Sequence, residues 1–451
     1  MKHQTEARGK FASKAGVVLA TAGSAVGLGN IWRFPYETGM NGGAAFILIY
    51  LLCLIALGLP AMLCEFVVGR RAQRNATRAY GGWPWKLTGC LGVLTGFLIM
   101  GFYSVVAGWT LQYIFASVAG QLHGDVDYIR QYFNDFVANP WKSVFWTVFF
   151  ILLTHVIITR GVQRGIERAS KVMMPLLFLL LLLLVVCALL LPGSSEGVKF
   201  LLRPDFSKVS ADTVFDALGQ TFFSLSTGMA CLVTYASYFD RDVHLVRSGV
   251  QIAVIDTMVA VLAGLIIFPA AFAVGVQPDA GPSLIFITLP NVFGQAFAAV
   301  PVVGWLMSII FYILLMLAAL TSIISMHETP TAFVAEEFHL SRRIAALLVT
   351  LPAMVVGVLS SLSLGSVPSL RLFGMTLFDS LDYITANVLL TLGGLLTLLY
   401  VGWVMPRGDV HEQISNGGRL RARYFPVFMF LVRYISPICM ALIFLHQLGA
   451  F

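Results

Sequence analysis

The sequence predicts an all-α polytopic membrane protein, and its composition, hydropathy and apolar segment lengths all support this prediction. Of its 451 residues, 58% are hydrophobic and only 11% are charged, with a mean hydropathy of +0.85. A soluble domain carries roughly 25% charged residues, so a soluble enzyme, a disordered protein and a nucleic-acid-binding protein are disfavoured. The apolar residues recur in segments of about 20 residues or more, the length that crosses a bilayer as a helix.

Eleven spans can be placed along the chain, separated by turns rich in Gly, Pro and polar residues such as GGWP, LPGSSEG and MPRGD. Their ranges are 11–37, 42–69, 88–121, 141–159, 166–191, 214–239, 247–276, 301–336, 342–359, 371–404 and 424–447. The third, eighth and tenth are long enough to tilt or to extend beyond the hydrocarbon.

The distribution of basic residues predicts the orientation, because Lys and Arg concentrate in cytoplasmic loops. Six of the 29 Lys and Arg residues fall in the predicted outer loops, two lie within spans and 21 fall in the inner segments. This places the N-terminus inside and, because the number of spans is odd, the C-terminus outside. The net charge of +7 therefore reflects topology rather than a nucleic-acid partner.

The sequence carries no signature of enzymatic or metal chemistry. Each of the six cysteines lies in or beside an apolar run, without the spacing of a metal site or redox pair, which indicates small buried residues. His155, His244 and His327 fall into no metal-binding pattern, and no phosphate-binding loop indicates use of ATP. An intramembrane enzyme is therefore disfavoured.

The first span contains residues that interrupt a membrane helix. Its segment AGSAVGLGNIWRFPY places Gly23, Gly27, Gly29 and Asn30 in the middle of the span. Unpaired backbone at this depth is tolerated only where it lines a cavity or is buried in protein. The alternative is close helix packing through Gly23 and Gly27, which this pattern alone favours.

A second interrupted helix lies five spans later, at the corresponding place in the second half. The segment TFFSLSTGMACLVTYASY carries Ser224, Ser226, Thr227 and Gly228 in its middle. Two matching interruptions indicate an inverted-repeat secondary transporter with its site near the midplane. Half-helix N-termini present amides to a carboxylate, and half-helix C-termini present carbonyls to a cation, so a zwitterion and a cation suit this site.

Asp256 is the most informative single residue. A carboxylate inside the apolar segment AVIDTMVAVLAGL is costly and marks a functional position. The alternative is a structural pair with a buried cationic side chain. Thr321 and Ser322 are less specific, because helical Ser and Thr usually bond to their own backbone.

The segment AGSAVGLGNIWRFPYETGMNGGAAF closely resembles the signature of the neurotransmitter:sodium symporter family, in its bacterial amino-acid transporter branch. NGG at 41–43, TYASYF at 234–239 and AALTSIISM at 318–326 extend the likeness along the chain. The resemblance implies the fold of the bacterial leucine transporter, with two inverted five-helix repeats, broken helices 1 and 6, and an eleventh helix. It also implies a bacterial inner membrane. The implied division is 1–10 for a cytoplasmic segment, 11–191 for spans 1–5, 214–404 for spans 6–10, 405–423 for a cytoplasmic loop, and 424–451 for the eleventh span and a short outer C-terminus.

The resemblance implies two sodium sites. The first would use the carbonyl of Ala25 with Asn30, Ser224, Asp256 and the substrate carboxylate. The second would use the carbonyls of Gly23, Val26 and Ala318 with the hydroxyls of Thr321 and Ser322. Animal members have an Asn near Asp256 and bind chloride close by, so the carboxylate here implies chloride independence.

The resemblance also places an amino-acid substrate between the broken helices. Its carboxylate would meet amides near Leu28 and Gly29 and the hydroxyl of Tyr103, and its ammonium would meet carbonyls near Ala25, Phe223 and Ser226. The side-chain pocket would contain Ile99, Phe223, Ser226, Met229, Ser322, Ser325 and Met326. Gly27 stands where monoamine carriers have Asp, which implies an α-amino acid. The flexible Met229 and Met326 indicate a large aliphatic or aromatic one.

Four residues correspond to the gates of the family. Arg33 and Asp382 would close the outer side, and Arg8 and Glu336 the inner side, although the inner acid of the family is Asp. Gly165 and Pro175, in GIERASKVMMP, resemble a motif that lets the fifth helix unwind towards the cytoplasm. An ordinary helix-entry glycine and a tolerated proline are the alternative.

Together these features predict a sodium-coupled symporter that imports a hydrophobic or aromatic α-amino acid by alternating access, independently of chloride. An amino-acid sensor on the same fold would bind without flux. A sodium symporter for a non-amino-acid osmolyte is disfavoured by Gly27 with Tyr103, and a channel by the lack of pore symmetry among eleven unlike spans. The sequence indicates no oligomeric state.

Overall fold

The structure is a computed structural model that describes residues 9–275 and 283–449. This part of the chain is almost entirely helical, as the sequence predicts. Within it, nine continuous helices are long and apolar enough to cross a membrane. They are Ala44–Ala72, Lys86–Val118, Pro140–Thr159, Val162–Leu189, Leu245–Ala273, Pro301–Glu337, Arg342–Ser363, Leu377–Val404 and Phe425–Gln447.

The first and sixth spans are interrupted, as the sequence predicts. The first consists of Lys14–Ala25 and Gly29–Met40, whose axes differ by 58°. The sixth consists of Ala211–Ser224 and Cys231–Ala236. Both interruptions fall within the Gly- and Ser-containing segments identified from the sequence, so the predicted polytopic helical fold with two broken spans is confirmed.

The tenth span begins later than the predicted boundary at residue 371. Arg371–Leu372 and Met375–Thr376 pair as two short antiparallel strands, and the helix starts at Leu377. Phe373 and Gly374, with φ of 53° and 79°, form the tight turn between the strands, as residues with positive φ do in two-residue hairpins. Hydropathy does not distinguish this apolar hairpin from helix, which is why the predicted boundary was wrong.

Shorter helices lie outside the spans. They are Ala76–Ala79, Val126–Ala138, Ser194–Leu202, Leu284–Ala296, Arg407–Ile414 and the single 3-10 turn Phe206–Lys208. Val126–Ala138 lies in the predicted outer loop between the third and fourth spans and buries Ile129 and Phe136. The side chain of Asp125 caps it by accepting a hydrogen bond from the Tyr128 N–H at 2.8 Å.

Burial distinguishes the central spans from the peripheral ones. In the most apolar stretch of Pro301–Glu337, 78% of residues are buried, and in that of Lys86–Val118 67% are, against 33% for Pro140–Thr159. A span at the periphery of the bundle leaves most of its apolar side chains exposed, because they face lipid. The low buried fraction of Pro140–Thr159 therefore places the fourth span at the periphery. The third and eighth spans pack in the centre with the interrupted spans, where their side chains line an internal cavity.

Candidate functional site

A cavity of about 720 Å³ lies between the two interrupted spans and the third and eighth spans. Among the residues predicted for the sodium and substrate sites, those that line it are Ala25, Gly27, Gly29, Asn30, Ile99, Tyr103, Phe223, Ser224, Ser226, Met229, Ser322 and Met326. The cavity continues past Phe378 and Asp382 to Phe133 and Asn134 of the helix Val126–Ala138. It therefore joins the predicted binding region to the predicted outer face.

The interruption of the first span has an extended backbone whose polar groups bond to side chains. Val26 has φ −67° and ψ 112°, outside the helical region. The Gly27 N–H donates to Asn30 Oδ1 at 2.9 Å, and the Leu28 N–H donates to the Tyr103 hydroxyl at 2.9 Å. The Val26 carbonyl accepts from the Ser322 hydroxyl at 2.9 Å. These bonds supply the partners that non-helical backbone at membrane depth requires.

The interruption of the sixth span depends on left-handed backbone and on a buried carboxylate. Ser226, Gly228 and Ala230 have φ of 55°, 89° and 57°, a region that is sterically unfavourable for residues with a side chain. Glu65 from the second span is only 1% exposed and accepts the Gly228 N–H at 2.6 Å. Because this bond satisfies a backbone amide in the non-helical segment at membrane depth, Glu65 anchors this loop.

Glu65 is absent from the site residues predicted from the sequence. The signal was present, since a carboxylate inside the apolar segment LPAMLCEFVVG satisfies the same criterion that identified Asp256. Ser24 was also missed, and a serine beside small residues carries no comparable signal. Its carbonyl accepts from the Ser226 hydroxyl at 3.0 Å, so it links the two interruptions directly.

Oxygen atoms converge around Asp256, which is fully buried. Its Oδ1 accepts from Asn30 Nδ2 at 2.7 Å, and its Oδ2 accepts from the hydroxyls of Ser224 at 2.6 Å and Tyr50 at 3.4 Å. These partners are an amide and two hydroxyls rather than a basic group, so the alternative of a structural pair with a cationic side chain is not supported. A buried carboxylate in such surroundings is costly unless a cation accompanies it.

A second group of oxygens lies where the eighth span packs against the first interruption. The Thr321 hydroxyl donates to the Ala318 carbonyl at 3.0 Å and lies 3.5 Å from the Val26 carbonyl, which also accepts from Ser322. A Cβ built on Gly23 would lie 3.1 Å from the Thr321 Cβ. The five residues predicted for the second sodium site therefore lie together and offer carbonyl and hydroxyl oxygens, which suit a hard cation.

The apolar wall of the cavity contains Ile99, Phe223, Met229 and Met326. Two predicted substrate residues do not line the cavity with their side chains. Ser325 is fully buried and its hydroxyl donates to the Ser322 carbonyl at 2.7 Å. The Leu28 side chain is also fully buried, so only its backbone faces Tyr103.

Gly27 borders the cavity beside Ser322 and Tyr103. A Cβ at this position would lie 2.7 Å from Ser322 Oγ and 3.1 Å from the Tyr103 hydroxyl. A side chain here would displace one of these groups or occupy the space beside them. The absence of a side chain at residue 27 therefore leaves this space for a ligand.

The predicted outer pair is not brought together in this structure. Among the described residues, the carboxylate partner of Arg33 is Glu37, with Nε and Oε1 3.7 Å apart. The Arg33 guanidinium lies 4.6 Å from the centroid of the Phe223 ring, within the range of a cation–π contact. Asp382 lines the cavity, and within the described residues its carboxylate is not in ion-pair contact with Arg33.

The predicted inner pair is only partly covered, because Arg8 lies outside the described residues. Glu336 accepts the backbone N–H of Asn75 at 2.7 Å. The neighbouring Glu337, which was not predicted, forms an ion pair with Arg78 at 2.6 Å. The Arg78 guanidinium donates a hydrogen bond to Glu337 within this pair, and that bond raises its pKa.

Another buried network, on the predicted inner half, was not predicted from the sequence. Glu328, fully buried, accepts from the Tyr238 hydroxyl at 2.6 Å and forms an ion pair with Arg342. His327 contacts Thr350 instead, with Nε2 and Oγ1 2.8 Å apart. No group of three or more His, Cys, Asp or Glu residues in the described ranges has the geometry of a metal site.

The fifth span has an irregular start. Val162–Glu167 is π-helical, and Pro175 lies inside the helix that follows. A Cβ on Gly165 would lie 2.1 Å from the Ile157 carbonyl oxygen, so only glycine permits the close approach of the fourth and fifth spans here. Gly165 therefore has a packing role in this structure, and its part in unwinding of the fifth helix stays a prediction.

Comparisons with known proteins agree with this architecture. The model of the sodium:neurotransmitter symporter family matches residues 8–143 and 141–451. The uncharacterized sodium-dependent transporter YhdH of Bacillus subtilis (strain 168) is 41% identical over 448 residues, covering 98% of each chain. An uncharacterized sodium-dependent transporter of Haemophilus influenzae is 33% identical over 472 residues, covering 99% of this chain and 100% of the relative.

A crystal structure of MhsT in complex with L-phenylalanine is similar to the whole chain. The TM-score is 0.88 at 41% sequence identity, covering 98% of this chain and 100% of MhsT. Similarity of this extent confirms the predicted fold class. The interrupted spans, the buried oxygen clusters and these matches agree with one another, and the chain belongs to the sodium:neurotransmitter symporter family, whose members are secondary transporters rather than enzymes.

Proposed function

We propose that this protein is a sodium-coupled symporter that imports a hydrophobic or aromatic α-amino acid by alternating access. The observation that carries the proposal is the cavity between the two interruptions, which combines backbone polar groups and Tyr103 with an apolar wall of Ile99, Met229 and Met326. The L-phenylalanine bound in MhsT, at 41% identity, supports the same class of substrate.

Two sodium ions fit the two oxygen clusters. Around Asp256, the amide of Asn30, the hydroxyl of Ser224 and the carbonyl of Ala25 would join the substrate carboxylate in holding the first ion. Gly23, Val26, Ala318, Thr321 and Ser322 would hold the second. The hydroxyl protons that now bond to carbonyls would rotate away and leave lone pairs for the ion. Because the substrate completes the first site, ion and substrate would increase each other's affinity.

The groups around Gly27 suit the carboxylate and the ammonium that all α-amino acids share. The Tyr103 hydroxyl and the amides near Leu28 and Gly29 would hold the carboxylate, and carbonyls near Ala25 and Phe223 would hold the ammonium. The substrate side chain would then point to Met229 and Met326. Methionines adapt to different apolar shapes, so we propose a large aliphatic or aromatic side chain rather than glycine, GABA or a charged one.

Asp256 would make chloride unnecessary, since its carboxylate supplies a fixed negative charge beside the first sodium. Uphill transport would follow from ion coupling alone. One charge moving through 100 mV yields about 2.3 kcal/mol, and a tenfold sodium gradient adds about 1.4 kcal/mol. Two ions would thus drive roughly 7 kcal/mol of accumulation, or about five decades of substrate concentration.

The proposed orientation has the N-terminus inside a bacterial inner membrane, with the cavity open to the outside. In this state the Glu337–Arg78 and Glu328–Arg342 pairs lie on the closed side. Closure would bring Arg33 and Asp382 together above the substrate and separate the inner pairs. Surface ion pairs are worth under about 1 kcal/mol, which suits the partly exposed Glu337–Arg78 pair as a contact that forms and breaks in each cycle. The buried Glu328–Arg342 pair would cost more to separate.

The test is uptake of radiolabelled amino acids by proteoliposomes with an inward sodium gradient. The panel would include phenylalanine, leucine and tryptophan, with glycine, GABA, glutamate and betaine as non-substrates. We expect accumulation of at least one large neutral amino acid, its loss when K⁺ replaces Na⁺, and no change when gluconate replaces chloride. Protein-free liposomes provide the background.

Each contrary outcome is informative. Sodium-dependent binding without accumulation would identify a sensor. Uptake of betaine alone would identify an osmolyte carrier, and loss of uptake in gluconate would contradict the role given to Asp256.

A further inference from the structure

A basic cleft of about 1140 Å³ opens on the predicted inner face, away from the central cavity. It is lined by His155, Thr159, Arg160, Arg164, Arg168, Arg343 and Leu347. The four arginines come from the end of the fourth span, the start of the fifth and the start of the ninth. All four are exposed, and no step of the proposed transport cycle uses them.

The charge of this cleft is not neutralised by the described part of the protein. Elsewhere on the same face Arg71, Arg78 and Arg419 form ion pairs with carboxylates at 2.6 Å. None of the four arginines of the basic cleft does so with a carboxylate of residues 9–275 or 283–449. A concave surface lined by charges of one sign concentrates its potential, so the cleft attracts an anion.

The one acidic residue between Arg164 and Arg168 faces a different set of partners. Glu167 is only 2% exposed. Its Oε2 accepts the Ala12 N–H at 2.6 Å, and its Oε1 accepts from the Ser13 hydroxyl at 2.8 Å and lies 2.7 Å from Lys171 Nζ. This carboxylate holds the start of the first span and is not available to the basic cleft.

The surface beside the cleft is apolar. On the ninth span Leu347, Leu351 and Val355 are 47%, 52% and 57% exposed, and their spacing of four residues puts them on one helix face. On the fourth span Phe149 and Val156 are similarly exposed. These side chains lie within predicted membrane-spanning helices, whereas the arginines lie at the helix ends, where lipid headgroups are found.

We propose that the basic cleft binds the headgroup phosphate of an anionic glycerophospholipid, with the acyl chains along the exposed faces of the fourth and ninth spans. Guanidinium groups bind phosphate oxygens through paired, charge-assisted hydrogen bonds. A free phosphate would use the arginines alone, but a lipid also uses the apolar surface that begins at Leu347. Bound in this way, one lipid would connect the ends of the fourth, fifth and ninth spans.

Native mass spectrometry of the purified full-length protein, titrated with phosphatidylglycerol, tests the proposal. The variant Arg164→Gln with Arg343→Gln removes two charges from two helices of the cleft. At about 1 kcal/mol for each basic residue near an anionic lipid, retention of phosphatidylglycerol should weaken about 30-fold. The matched control is Arg421→Gln with Arg423→Gln, which removes two exposed charges from the same predicted face and should retain the lipid.

Three further measurements test the proposal, and the first two use the wild-type protein, so they do not depend on how the double variant folds. Wild-type protein should prefer phosphatidylglycerol to phosphatidylcholine, and inorganic phosphate should not displace the bound lipid at comparable concentration. The variant Arg164→Lys with Arg343→Lys keeps both charges but loses the paired hydrogen bonds, so its binding should lie between that of the wild-type protein and that of the Gln variant. The proposal would be overturned if the Gln variant and its control lost the same amount of bound phosphatidylglycerol, or if the wild-type protein bound the two lipids equally. Displacement of the lipid by inorganic phosphate would also overturn it, by identifying a site for a soluble anion.

Discussion

The first and sixth spans are both interrupted beside the cavity, but different atoms hold the two interruptions. The first has extended backbone at Val26 and bonds to the side chains of Asn30, Tyr103 and Ser322. The second has left-handed backbone at Ser226, Gly228 and Ala230 and bonds to the carboxylate of Glu65. The first is held by several side chains, whereas the second combines left-handed main chain with one buried carboxyl group.

The glycines of the two segments show the same difference. A Cβ on Gly27 would meet the side-chain atoms Ser322 Oγ and Tyr103 OH, at 2.7 Å and 3.1 Å. A Cβ on Gly228 would meet the Leu390 backbone oxygen at 2.1 Å. Side chains can rotate away from an added methyl group, but backbone cannot. We therefore expect a substitution of glycine in the first interruption to weaken ligand binding more than folding. A substitution of glycine in the second interruption should instead lower the free energy of unfolding.

The largest effect is expected from Gly228→Ala, which tests the rigidity of the second interruption. The new Cβ meets backbone and the residue must keep a positive φ, so we expect the free energy of unfolding to fall by at least about 2 kcal/mol. Thermal unfolding in detergent measures this loss. Gly408→Ala is the control, because nothing lies within 4 Å of its added Cβ. Unchanged stability of Gly228→Ala would show that the second interruption is not fixed by its backbone.

The next effect is expected from Asp256→Asn, which acts on the first interruption through Asn30. Removing the negative charge should raise the sodium concentration for half-maximal uptake by at least about tenfold, because the ion would lose its attraction to a buried carboxylate; tenfold corresponds to about 1.4 kcal/mol. Folding should be preserved because the amide retains the shape of the carboxyl group. The exposed Asp127→Asn serves as control, and an unchanged sodium dependence in Asp256→Asn would place the ion elsewhere.

A smaller effect is expected from Glu65→Gln, which tests the anchor of the second interruption without changing its shape. The Gln carbonyl still accepts the Gly228 N–H, so we expect the free energy of unfolding to fall by no more than about 1 kcal/mol. Glu65→Ala should cost more, because it leaves the Gly228 amide without its acceptor. Equal losses in the two variants would indicate that Glu65 acts through packing alone.

The smallest loss of stability is expected from Gly27→Ala, the counterpart of Gly228→Ala in the first interruption. Rotation of the Ser322 side chain relieves the contact, so the stability change should stay below about 1 kcal/mol. Uptake should suffer more, through a higher KM for the amino acid, because the methyl group occupies space beside Tyr103. If KM were unchanged while stability fell as in Gly228→Ala, the proposed difference between the interruptions would be wrong.

Much of the site could be predicted because each break combines residues that are unfavourable in a membrane helix. Gly27, Asn30 and Asp256 are costly there without a function, and the structure brings Asn30 and Asp256 within 2.7 Å of each other. Glu65 carried the same signal and was missed. The separation of Arg33 from Asp382 could not be predicted, since a gate pair has the same sequence whether open or closed.

The sequence by itself determined the membrane-spanning helical class, the positions of the two interruptions and the family. Polar residues are so costly at membrane depth that the few inside an apolar segment can be recognised from the local sequence alone. Only the tertiary structure decided which oxygens meet around Asp256, which carboxylate anchors Gly228, and that residues 371–376 form a hairpin. It also decided that four arginines from three helices share one cleft. These are contacts between residues distant in the chain, and helix packing rather than local composition sets them.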